Sequence, residues 1–264
     1  MLRKNILAWI FRTGLIGLPL ALSCTEKELD PNNPQASYGI AKEPYDDKNY
    51  EIASKKLGEF KARFPYSRYA VEAELLLADC QFELGHYVES AASYKEFVKL
   101  HPKHAQVDFA LFRVGMSYWQ DAPADLDREQ EYTELALKEW QTLIEQHPQS
   151  SYTQQAIDLK QKGLKRIQGS EEFVANFYCK QGLWHACAYK FNSIAEKYPS
   201  DKVLLKRSLE KTADALEKLA TQSKEQAQNE KDGPKKSANL WIRDLSPEEI
   251  LKKAGELRSK ASSL

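Results

Sequence analysis

Four prolines punctuate this chain and constrain it more than any other feature. Arg63-Phe64-Pro65, Leu100-His101-Pro102, Gln146-His147-Pro148 and Lys197-Tyr198-Pro199 each close a stretch of helical pattern. Proline cannot continue a helix, and it holds the residue before it in extended geometry. Each tripeptide is therefore a helix end. The stripes between them keep a period of about 3.6 residues. Ala136, Trp140, Leu143 and Ile144 fall at i, i+4, i+7 and i+8, as do Cys187, Phe191, Ile194 and Ala195. No segment sustains the alternation of a strand, and 11 Gly in 264 residues are too few for a turn-rich β protein.

The stations repeat an internal unit. The tetratricopeptide (TPR) repeat is a helix pair of roughly 34 residues with a proline near its end. Aligned on Pro102, Ala78 and Ser90 take its two small positions, Gly85 its turn, and Tyr87 and Tyr94 its aromatic positions. Aligned on Pro199, Ala175 and Cys187 are the small residues, Gly182 the turn, and Tyr178, Trp184 and Phe191 the aromatics. Small residues let paired helices approach and aromatics fill the space around them. The proline spacings are 37, 46 and 51. The first long spacing implies a loop over 121–134, and the second a helix from about 152 that runs on through Gly169-Ser170 to 180. The expected fold is all-α: a right-handed α-solenoid of about five TPR-like helix pairs over 37–220. A charged loop and a capping helix follow over 221–264. Ser246-Pro247-Glu248-Glu249 is a strong start for that helix.

The N-terminus reads as an address. Arg3 and Lys4 precede an apolar run, Thr13–Leu22, too short to span a bilayer. It ends in Ala21-Leu22-Ser23-Cys24, a bacterial lipobox pattern, so 1–23 is read as a signal peptide and Cys24 as the acylated residue. Two or three acyl chains hold a protein firmly on a membrane. Thr25, in place of Asp, directs such a lipoprotein to the outer membrane, facing the periplasm. Residues 24–36 then form a polar tether.

Charge narrows the function. The full chain balances 38 basic against 38 acidic residues, and removal of the leader leaves 35 against 38. Neither balance suits a nucleic-acid binder. No G-x-S-x-G, H-E-x-x-H or phosphate-cradling loop is present, no Cys/His group has zinc spacing, and no cofactor is implied. Cys179 and Cys187 could pair in an oxidising compartment, but the bond would cross a helix–turn–helix. Free Cys ordinarily packs as a small hydrophobe.

Several strings together resemble the BamD family, the D lipoprotein of the β-barrel assembly machinery (the Bam complex). They are Arg63–Tyr69 (RFPYSRY), Phe97–His104 (FVKLHPKH) leading into Val107–Ala110, Asp127–Gln130 with Thr133, Tyr152-Thr153, and Gly182–Lys190 before Tyr198-Pro199-Ser200. The resemblance implies a lipid-anchored scaffold and not an enzyme. Its implied partners are the POTRA domains of the barrel-bearing subunit, other Bam lipoproteins, unfolded outer-membrane proteins, and the membrane through lipid on Cys24. The family's POTRA-facing basic residue aligns with Lys190, where a point-charge contact replaces the bidentate pair of an Arg. The aromatic corner associated with substrate aligns with Phe64-Pro65-Tyr66, beside Tyr69.

The repeat register adds groove candidates. First-helix groove positions are Phe109, Phe112, Met116 and Trp119 in the third repeat, and include Phe82 in the second. Four large apolar residues suit a permissive binding face, unless neighbouring helices cover them. Two other readings stand beside the scaffold. One is a TPR lipoprotein that organises cell-wall enzymes; the other is an anchored thiol-exchange enzyme using Cys179 or Cys187.

Overall fold

The computed structural model describes residues 32–229, 242 and 245–264. The expected leader, Cys24 and most of the charged insert lie outside the described residues. The described residues form ten helices and no strand. They are α1 (Pro34–Asp46), α2 (Tyr50–Arg63), α3 (Arg68–Glu83), α4 (Tyr87–Leu100) and α5 (Val107–Asp121), then α6 (Glu131–Gln146), α7 (Thr153–Lys180), α8 (Trp184–Lys197), α9 (Lys202–Asn229) and α10 (Pro247–Ser262). Each helix packs mainly on its neighbours in sequence, from α1 to α10. That is the contact pattern of a helical-repeat array.

The four proline stations share one backbone geometry. Phe64, His101, His147 and Tyr198 are the C-caps of α2, α4, α6 and α8, with φ from −122° to −131° and ψ from 54° to 58°. Three residues on, the N–H of Ser67, His104, Ser150 or Asp201 donates back to that C-cap carbonyl. The turns within pairs are equally regular. Gly85 (φ 79°) and Gly182 (φ 69°) adopt the left-handed conformation after α3 and α7. His86 N–H donates to Gln81 O, and Leu183 N–H to Tyr178 O. This is the Schellman closure that favours glycine.

The small positions act as expected. Ser90 is fully buried and its Oγ donates to Ala78 O at 2.9 Å, between α3 and α4. Gly115 lies beneath Trp140; a Cβ there would sit 2.3 Å from the indole Nε1. Tyr94, Phe97, Trp140, Leu143 and Phe191 are almost fully enclosed.

Several boundaries shift. Residues 34–36 belong to α1, not to the tether, because Asn33 accepts the Gln35 N–H at 2.9 Å and Pro34 opens the helix. The inter-helix loop is only 122–130, since Glu131 and Glu134 already sit in the first turn of α6. The array does not stop at 220: α9 runs to Asn229. The Glu-, Gln- and Lys-rich residues that look like loop are good helix formers. α7 is one continuous helix of 28 residues, which absorbs the longest proline spacing. α10 starts with a capping box between Ser246 and Glu249 and packs on α9 through Ile250, Ala254 and Leu257.

Candidate functional site

The first station builds an aromatic ladder. Phe64, at the end of α2, meets Phe60 at 5.4 Å between ring centroids. Phe60 meets Tyr38 of α1 at 5.6 Å, and Tyr38 stacks on Tyr69 of α3 at 5.2 Å. Two guanidiniums flank the ladder: Arg63 lies 5.4 Å from the Phe64 ring and Arg68 4.7 Å from the Tyr69 ring. Burial, then the negative charge of Glu72, pushes the Tyr38 phenol well above its usual range. Tyr66 stands fully exposed at the tip of the corner. Between α1 and α2 a cleft of about 290 Å³ opens onto Ile40, Lys56, Phe60, Arg63 and Phe64. This end of the array therefore offers aromatic faces rimmed by positive charge. Such a surface can hold an extended segment through stacking and cation–π contact.

Behind the ladder lies a buried polar node. Asp79 of α3 accepts hydrogen bonds from Tyr94 of α4, from Arg113 of α5 (2.6 Å) and from Tyr45 of α1 (3.3 Å). Arg113 also reaches Glu83 at 3.0 Å and stacks over Phe82 at 3.7 Å. Burial opposes the Arg113 charge, but Tyr94 and Asp79 outweigh it and hold its pKa up. Four helices are thus keyed to one carboxylate.

The groove candidates do not form one open face. Phe112 is only 6% exposed, because Tyr152, at the start of α7, stacks on it at 5.1 Å and tilts over Phe109 at 5.6 Å. Trp119 packs on Trp140 and on Gly163 of α7, and Met116 lies in the same cluster. The long helix thus covers the middle of the expected groove. Phe82 is held under Arg113, away from the ladder. The substrate candidates thus fall into two groups, Phe64, Tyr66 and Tyr69 at the first corner and Phe109, Phe112, Met116 and Trp119 along α5, the second partly covered by α7.

Lys190 is exposed on α8. It makes no ion pair among the described residues. It borders a cleft of about 280 Å³ with Tyr189, Ile194 and the Lys197–Glu171 bridge (2.6 Å). One turn before it, Cys187 is bonded to Cys179 across the α7–α8 turn. The pairing that the sequence left open is thus made. The Schellman turn at Gly182 brings the two Cα atoms to 5.0 Å, within disulfide reach. Cys187 is 1% exposed, a poor position for thiol exchange.

Sequence reasoning overlooked Tyr38, the two flanking arginines and the Asp79–Arg113 node. A signal for the node was present: Asp79 and Arg113 each interrupt an apolar face, and charged residues in such places are buried only when paired.

The YfiO family model, described as an outer membrane lipoprotein, matches residues 30–231. The outer membrane protein assembly factor BamD of Neisseria meningitidis serogroup A is 25% identical over 209 residues, 73% of this chain and 78% of the relative. BamD of Vibrio cholerae is 24% identical over 218 residues, 78% of this chain and 90% of the relative. A tetratricopeptide repeat protein from Parabacteroides merdae aligns at TM-score 0.35 and 18% identity, over 86% of this chain and 93% of that one. The family match runs through the aromatic corner, the buried node, Lys190 and all of α1 to α9, and this chain belongs to the YfiO outer membrane lipoprotein family.

Proposed function

We propose that this chain is a lipid-anchored scaffold of outer-membrane protein assembly, held at the periplasmic face by acyl chains on Cys24. Its relatives in Neisseria meningitidis and Vibrio cholerae are outer membrane protein assembly factors. The observation that carries the reading is the length of the family match, which takes in nearly the whole array. Within it the two ends take different roles. The aromatic corner with Phe64, Tyr66 and Tyr69 receives segments of unfolded outer-membrane proteins. The exposed face of α8, with Lys190, docks on a POTRA domain of the barrel-bearing subunit. Other Bam lipoproteins complete the assembly. The mechanism is binding alone: client is held at one end while the other end fixes the scaffold to the insertion machine.

Affinity purification from detergent-solubilised envelope tests this. The expected eluate contains a POTRA-bearing barrel protein, lost on Lys190→Glu with thermal stability unchanged. Phe64→Ala/Tyr66→Ala should keep that partner and lose crosslinks to unfolded client. Absence of any POTRA-bearing protein from the wild-type eluate sinks the reading. Cys24→Ser should release the purified chain from lipid vesicles; retention there removes the anchor.

A further inference from the structure

The seam between α7 and the helices that follow it is thinly packed. In the core cluster that α8 enters, α8, α9 and α10 supply Phe191, Ile194, Leu204, Leu216 and Ile250. Among the described residues, Ala175 is the one member from α7 that is as deeply enclosed; Tyr178 and Cys179 join it only partly buried. Two ion pairs near the surface also cross the seam: Glu171 with Lys197, and Glu172 with Arg207 of α9, each at 2.6 Å. Such exposed pairs hold weakly. A cleft of about 280 Å³ opens along the same seam, with Ser170 and Val174 on one wall and Lys190 and Ser193 on the other. Beyond the turn itself, the covalent link across the seam is the Cys179–Cys187 bond, one turn before Lys190.

We infer that this bond is a redox-exchangeable clasp, opened and closed through Cys179 by a dithiol/disulfide exchange protein, and that it sets where α8 carries Lys190 relative to α7. The two sulfurs are not equivalent. Cys187 is 1% exposed, whereas Cys179 is only partly buried. An attacking thiolate enters at the accessible sulfur. To open the clasp, one thiolate of the partner bonds to Cys179 Sγ, and the breaking S–S bond leaves its electron pair on Cys187 Sγ. Cys187, among apolar side chains, takes up a proton and becomes a thiol. The partner's second thiolate then attacks its own bridged sulfur and releases Cys179, which is protonated in turn. Two electrons and two protons pass from the dithiol to the clasp. Closure is the reverse, with a disulfide-bearing partner as oxidant.

Once the clasp is open, α8 stays with α9 and α10, into which its apolar face is built, and the three shift against α7 as a body. Lys190 moves with them, and the aromatic corner does not. The effect on POTRA docking rests on the role proposed above for Lys190; the clasp and its entry through Cys179 do not.

Three measurements on the whole chain test this, at a temperature where circular dichroism shows every form folded. First, spin labels on ketone-bearing residues at the exposed positions Lys162 of α7 and Lys211 of α9 leave the cysteines untouched. Their separation should shift by several ångströms under dithiothreitol and return on reoxidation; an unchanged separation overturns the proposal. Second, glutathione disulfide should form a mixed disulfide with Cys179 in Cys187→Ala, and leave Cys187 unmodified in Cys179→Ala until urea is added. Equal reaction of both sulfurs overturns entry through Cys179. Third, reduced wild type and Cys179→Ala/Cys187→Ala should each capture several-fold less POTRA-bearing protein from solubilised envelope than the oxidised chain. Equal capture shows that the clasp does not position Lys190 and overturns that part. Capture by none of them, the oxidised wild type included, counts against the proposed function, and the first two measurements then decide the clasp alone.

Discussion

The two ends of the array follow one repeat rule but are held together differently. From α1 to α5 the helices converge on a carboxylate: Asp79 bonds Tyr45, Tyr94 and Arg113, and the Tyr69–Tyr38–Phe60–Phe64 ladder seals the same region. From α7 to α10 the core is aliphatic and aromatic, built on Phe191, Leu204, Leu216, Ile250 and Ala254, and a disulfide ties its first two helices. Both halves turn large apolar side chains outward, Ile40, Ile52, Tyr66, Val88 and Leu100 in the first and Phe173, Phe177, Leu183, Tyr189 and Val203 in the second. A polar node admits one arrangement of its donors, so it fixes register among four helices. A covalent tie fixes one hairpin. The difference sets a first half keyed by buried polar contacts against a second half held by apolar packing and one covalent tie.

The largest effect should come from breaking the node. Asp79→Ala leaves the Arg113 guanidinium buried beside Tyr94 with no buried carboxylate, and should cost about 3–5 kcal/mol in urea unfolding. Retention of wild-type stability would show that Glu83 alone satisfies Arg113 and would erase the contrast. Next comes the tie. Cys179→Ser/Cys187→Ser opens a loop of eight residues and should cost about 2 kcal/mol by the loop-entropy argument. Reduction of the wild type should reproduce the loss, and a variant that unfolds where the oxidised wild type does would show that packing alone holds the hairpin.

Gly115→Ala should follow at about 1–3 kcal/mol, since its methyl meets the Trp140 indole; a neutral result would mean that α5 and α6 can part without cost. The smallest effect is acid-dependent. Arg258 reaches Asp214 and Glu217 from α10, and its hydrogen bond holds the Glu217 carboxyl below its usual range. Stability from a depressed carboxyl is present above its unfolded pKa and lost as pH falls through the lower folded value. α10 should therefore loosen in acid, and Arg258→Gln should remove that part of the pH dependence of amide exchange in α10. The pair is solvent-exposed, so a change of a few tenths of a kcal/mol is expected.

Helix ends were legible in the sequence because their chemistry is local. Proline after Phe64, His101, His147 and Tyr198, glycine at 85 and 182, and Ser246 before Pro247 each act within a few residues. The aromatic corner was legible by resemblance for the same reason: Phe64, Tyr66 and Tyr69 lie within one short string. What escaped was long-range. Asp79 and Arg113 are 34 positions apart, and neither local pattern names its partner. Whether neighbours cover the groove positions stayed open for the same reason: it is Tyr152, from the next helix, that closes over Phe109 and Phe112. The disulfide stayed open in the sequence because its feasibility depends on the left-handed turn at Gly182, which sets the distance between α7 and α8.

The unbroken α7 has a mechanical consequence. At 28 residues it is a strut about 42 Å long, several screening lengths in physiological salt. Charges at its two ends do not sense one another. A small angular shift where α6 packs on its first half therefore becomes a displacement of several ångströms at Lys180. The bearing for that lever is Gly163, where a side chain would have to push Leu137 of α6 aside, its Cδ2 lying 2.8 Å from the place of a Cβ.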